Sequence, residues 1–88
     1  MIFLTMYRWK PENRKAIVAR FMETGGLPPQ GVKLLSRWTD VAGGRGFTLT
    51  ETDDPVAAGA FAYAWNDLVT FEMIPVLNDE QLAKVISG

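Results

Sequence analysis

The chain predicts an α+β fold of the split βαβ, ferredoxin-like kind. Three observations point to it. Apolar stretches of strand length alternate with capped helical stretches in the order strand, helix, strand, strand, helix, strand, and a short helix follows. Glycine, proline and asparagine fall at the joins rather than inside the elements. The 88 residues also carry five Phe, three Trp and two Tyr, enough aromatic bulk for one core. The expectation is a single domain over residues 1–88, with a four-stranded antiparallel sheet and both long helices on one face.

Ile2 to Trp9 is apolar on both alternating sets, the mark of a central strand covered on two sides. Pro11 suits the first position of a helix, where its missing N–H costs nothing. Ile17 and Phe21, with Val18 and Met22 beside them, repeat at four-residue spacing and give that helix an apolar stripe. Gly25-Gly26 ends it, because glycine takes the left-handed cap without a Cβ clash. Leu27 to Gly31 is a loop.

Val32 to Asp40 and Arg45 to Thr52 read as strands joined in a hairpin through Val41-Ala42-Gly43-Gly44. Asp54 is placed as an N-cap and Pro55 as the first residue of a helix running to Trp65, whose alanines allow close approach. Asn66-Asp67 then turns the chain into a strand from Leu68 to Leu77. Asn78, with Gln81 three residues on, has the spacing of a capping box for a last helix carrying Leu82, Val85 and Ile86.

Composition removes several function classes. There is no cysteine and no histidine, so thiolate and imidazole metal sites, an axial haem histidine and His-dependent nucleophiles are absent. The expectation is no metal and no cofactor. Nine Lys/Arg balance ten Asp/Glu, leaving no basic surplus for nucleic acid and no cue for membrane binding. Ile2-Phe3-Leu4 and Arg45-Gly46-Phe47 echo the RNA-recognition motif, which has the same element order. The second echo fails at Thr48, Leu49, Thr50 and Thr52, where that motif wants aromatic and aliphatic residues. A cytoplasmic location is the default in the absence of a signal-peptide pattern at Met1 to Tyr7.

Strand alternation assigns Val69, Phe71 and Met73 to the helices, and Leu68, Thr70, Glu72, Ile74 and Val76 to the opposite face. In the first strand it sends Phe3, Thr5, Tyr7 and Trp9 to that outer face. In the third, Phe47 and Leu49 are expected in the core, with Thr48 and Thr50 outward. The outer face is then too apolar for water and too polar for a second core, which suggests a partner. Two protomers packed sheet to sheet would form a homodimer with a space between the sheets. Thr5, Tyr7, Trp9, Thr48, Thr50, Thr70 and Glu72 are the candidates to bind a small organic ligand there. Glu72 reads first as an ion-pair partner of Arg8, Arg37 or Arg45, or as a rim residue. Its sharper reading is a general base acting with Tyr7.

Glu51-Thr52-Asp53-Asp54-Pro55, Trp65-Asn66-Asp67-Leu68, Phe71-Glu72 and Pro75-Val76 together resemble the pattern of the domain-of-unknown-function 3303 family. Lys10-Pro11 with Asn13, and Trp38 with Asp40, fit it as well. The similarity spans nearly the whole chain. It implies a dimeric α/β barrel and carries no assigned activity, so it transfers no catalytic residue. Ligand binding, cofactor-free catalysis of a monooxygenase or isomerase kind, and a purely structural dimerisation module are the three functional expectations.

Overall fold

The computed structural model describes residues 1–88. Strand β1 spans Ile2–Arg8, and a 3-10 turn at Pro11–Asn13 leads into α1 over Arg14–Thr24. Strands β2 (Lys33–Thr39) and β3 (Arg45–Glu51) form the hairpin, followed by α2 over Pro55–Tyr63, β4 over Thr70–Val76 and α3 over Asp79–Ser87. The sheet order is β2-β3-β1-β4, and every neighbouring pair is antiparallel. This is the ferredoxin-like arrangement expected from the order of elements.

The joins follow the local chemistry. Asp54 caps α2 by accepting a hydrogen bond from the Val56 N–H at 2.9 Å, with Pro55 as the first helical residue. Asn78 and Gln81 exchange the two bonds of a capping box at the start of α3. Gly25 ends α1 at φ 71°, donating its N–H to the Phe21 carbonyl. One boundary differs. The turn after α2 continues through Leu68 and Val69, whose N–H groups both bond the Trp65 carbonyl, so β4 begins at Thr70 rather than Leu68.

Cross-strand pairing decides which residues share a face. Thr5 lies opposite both Thr48 and Met73, and Tyr7 lies opposite Gly46 and Phe71. All face α1 and α2, which corrects the outward assignment of Phe3, Thr5, Tyr7, Trp9, Thr48 and Thr50; Thr5 is 3% and Thr50 2% exposed. Conversely Phe47 and Leu49, expected in the core, stand on the far face beside Met6 and Leu4. The alternation misleads because β1 is apolar on both sides, while the buried side of β3 is written in threonine, whose methyl group packs well on a sheet. The assignments in β4 agree with the structure: Phe71 and Met73 face the helices, and Thr70, Glu72 and Ile74 do not.

Strand β2 contains an irregularity. Leu34 pairs with Thr50 but Ser36 pairs with Leu49, so Leu35 is an extra, bulged residue. Beyond it the alternation is reversed, and Arg37 and Thr39 face the helices while Trp38, 67% exposed, faces away.

The molecule is open for its size. It exposes 6348 Å², where the scaling for compact monomers gives about 5,200 Å². Its radius of gyration is 14.4 Å, against about 12 Å expected. Leu4, Ile74 and Trp38 on the outer sheet face, and Leu82, Val85 and Ile86 on α3, are uncovered. No helix is long and apolar enough to cross a membrane.

Two glycines give opposite tests of this packing. A Cβ on Gly46 would lie 2.5 Å from the Tyr7 ring, so Gly46→Ala should cost about 1–3 kcal/mol in urea unfolding. Gly59 sits inside α2 with open space around it, and Gly59→Ala should gain about 0.5–1 kcal/mol in the same assay.

Candidate functional site

The helices do not close down on the sheet. Between them lies a cavity of about 330 Å³, floored by Thr5, Tyr7, Thr48, Phe71 and Met73 and walled by Ile17, Val18 and Phe21 of α1. Phe61, Ala62 and Trp65, from α2 and the turn after it, complete the wall. The lining is mostly aliphatic and aromatic, with a few hydroxyls and a single charged side chain, Arg37.

Tyr7 is held by its neighbours. Its ring stacks on Trp9 at 6.1 Å between centroids and tilts against Phe71 at 6.0 Å. Across the strand pair it lies over Gly46, where any side chain would collide with it. Burial raises the Tyr7 pKa above its ordinary value, and the nearby Arg37 charge offsets part of that shift. The phenol therefore keeps its proton and presents a donor to the cavity.

Arg37 reaches the cavity because of the bulge at Leu35. With regular alternation from Leu34, position 37 would face outward. The guanidinium donates to the Gly26 carbonyl at 2.7 Å and the Gly25 carbonyl at 3.2 Å, just beyond the end of α1. It also lies 4.8 Å from the centroid of the Phe21 ring, a cation–π contact. Gly26 leaves room for this seat, since a Cβ there would come within 2.5 Å of Arg37 Nη1. The ion pairs in the protein are Met1–Asp53, Arg20–Asp67 and Arg45–Asp40, and none involves Arg37.

Of the residues expected to bind a ligand, Thr5, Tyr7, Trp9 and Thr48 come together in this cavity, on the helix side of the sheet. Thr50 is buried on the same face but lies outside the lining. Thr70 and Glu72 are exposed on the opposite face, where Thr70 pairs with Arg8 and Glu72 with Met6. Glu72 and Tyr7 are therefore separated by the sheet, and Glu72 makes no ion pair with Arg8, Arg37 or Arg45. Sequence reading missed Arg37 as a cavity residue, since only the bulge aims it inward. Phe21, Phe61 and Trp65 were legible as apolar anchors, without any sign that they border an opening.

Several residues of the sequence runs quoted above hold the frame. Arg20 grips Asp67 with two bonds of 2.7 and 2.8 Å, bonds the Ala64 carbonyl at 2.9 Å, and lies over Trp65. That clamp ties α1 to the turn before β4 and holds the Asp67 carboxyl below its usual pKa range. Asn13 donates to the Leu68 carbonyl at 3.1 Å, and Asp54 supplies the α2 cap. The match to a family model is complete in extent: it covers residues 1–88 and is described as a domain of unknown function, DUF3303. The chain belongs to that family. No curated protein and no solved structure matches it. In this chain the Arg20 clamp engages Trp65 and Asp67, and Asp53 pairs with the Met1 amino group at 2.7 Å.

The state of Tyr7 gives a pH test. The unfolded chain releases the phenol proton near pH 10, whereas the folded protein retains it to higher pH. The stabilisation is complete below pH 10 and is lost as pH rises through the folded value. Thermal melts from pH 8 to 11 should show a decline above pH 10 that Tyr7→Phe makes shallower.

Proposed function

We propose that the protein binds a small, mainly apolar organic molecule between its sheet and helices, and that two protomers pair through the opposite sheet face. The observation that carries the first half is the cavity of about 330 Å³. Ligand sites start near that volume and combine apolar walls with a few oriented polar groups. The opening is a cleft rather than a sealed void, with Val18 and Phe21 of its wall exposed. An occupant that covers these apolar walls removes their surface from water, which favours an apolar molecule there.

The pairing reading rests on the far face. Leu4, Leu49 and Ile74 share one row across the sheet, and Met6, Phe47 and Trp38 share the next with Glu72. The excess surface of about 1,200 Å² exceeds the roughly 800 Å² that each partner gives to a standard interface. Two sheets packed in this way make a dimeric α/β barrel. Glu72 then belongs to the interface, where its carboxylate needs a cation; Arg8, without an acidic partner of its own, stands on the same face. The ligand, by contrast, sits inside each protomer.

A catalytic reading that joins Glu72 to Tyr7 is disfavoured, because the sheet lies between them. Chemistry in the cavity would fall to Tyr7 as a proton donor beside Arg37. A purely structural module needs no cavity, and the opening favours the binding reading over it.

The neutral fluorophore N-phenyl-1-naphthylamine tests the cavity. It should bind with raised emission, and Ala62→Phe, which fills the space, should weaken it about tenfold or more while retaining or raising the melting temperature. Unchanged binding to Ala62→Phe would move the site elsewhere. Leu4→Arg addresses the pairing: sedimentation equilibrium should give a dimer for the natural protein and a monomer for the variant. A monomeric natural protein at tens of micromolar would rule the pairing out.

A further inference from the structure

We infer that the occupant of the cavity carries one negative charge, a carboxylate on an otherwise apolar body, and that Arg37 is the residue that selects it. The inference rests on the cavity-binding reading and adds to it the chemical class of the ligand.

Charge is the first argument. Arg37 is the single charged side chain in the lining, and no acidic residue lines the cavity with it. A half-buried guanidinium is normally matched by a carboxylate, because removing it from water forfeits hydration that neutral groups only partly replace. Every ion pair in the protein is made elsewhere. Two of its five N–H groups bond the Gly25 and Gly26 carbonyls, which orient the guanidinium and, at the C-terminal end of α1, offset only part of its charge. The planar fork has donors left for a carboxylate, the geometry that suits arginine best.

The second argument is construction. Three independent features serve to put this cation in an apolar cavity. The bulge at Leu35 turns position 37 toward the helices. Gly26 adopts φ 62° and leaves the space the guanidinium occupies. Phe21 supplies the ring beneath it. An arginine needed only for solubility would lie on the exposed side of β2, where Trp38 lies instead. Tyr7, which keeps its proton, adds a neutral donor near Arg37, and the hydroxyls of Thr5 and Thr48 line the same floor. The aromatic walls then receive the apolar body. A volume of about 330 Å³ corresponds to roughly ten water volumes, the scale of a ten-carbon chain or a substituted aryl ring.

The test uses displacement of N-phenyl-1-naphthylamine from the full-length protein at pH 7 by decanoate, 1-decanol and decylammonium, which share one chain. Decanoate should displace the probe about tenfold to a hundredfold more effectively than 1-decanol, the range for hydrogen bonds to a charged partner, and decylammonium should be weakest. Arg37→Gln should bring decanoate to the level of 1-decanol, and Arg37→Lys should keep part of the preference. If the probe binds and decanoate has no advantage over 1-decanol, the inference is overturned while the cavity reading stands. If the probe does not bind the natural protein, the cavity reading fails and takes this inference with it. The natural protein alone separates these outcomes, so the test survives a failure of either variant to fold.

Discussion

Everything in this fold depends on β1 being hydrogen-bonded on both sides. Its pairing with β3 and β4 places Thr5 between Thr48 and Met73, and Tyr7 between Gly46 and Phe71. Once those registers are set, each strand's side chains are committed to one face or the other. The threonine and aromatic set goes to the helices, and the Leu4, Met6, Phe47 and Leu49 set goes to the far side. A central strand with two apolar faces cannot satisfy both within an 88-residue chain in which, of three helices, α1 and α2 stand over one face of the sheet. The open outer face and the large exposed area are the physical result.

The same economy explains the cavity. The helices stand off the sheet on large residues, with Phe21, Phe61 and Trp65 reaching inward and small residues such as Ala62 between them. Arg20 and Asp67 fix α1 to the turn that precedes β4, and Arg37 fixes the end of α1 to β2. These polar ties at both ends set the helix position without needing the middle to be filled. An interior left open between two anchored ends differs from a loosely packed core in that its walls are tied at their ends by named polar contacts.

Much of the architecture was legible in the chain. Asp54-Pro55, Asn78 with Gln81, and Gly25 mark helix ends by mechanisms that act over three or four residues, and local mechanisms survive translation into structure. The faces of β1 and β3 were not legible, because Ile2 to Trp9 has no polar side and because buried Thr48 and Thr50 look like surface residues. The role of Arg37 was hidden for a different reason. Its direction depends on one extra residue, Leu35, and nothing in Lys33-Leu34-Leu35-Ser36-Arg37 marks which residue bulges. Glu72 drew notice as a carboxylate among apolar neighbours, and its strand was assigned to the correct faces. The error lay in supposing that Tyr7 shared its side.

The bulge at Leu35 also makes the chemistry of the interior unusually easy to rewrite. Were β2 to pair straight through from Leu34 at unchanged length, without the bulge, Arg37 would lie opposite Phe47 on the outer face and Trp38 opposite Gly46 on the inner one. A slip of one residue in pairing would thus exchange a charged interior for a wholly neutral aromatic one, and at the same stroke put a cation into the sheet face that otherwise presents Phe47 and Leu4. On this scaffold the register of the second strand is therefore the variable that couples what the interior accepts to how the exterior associates.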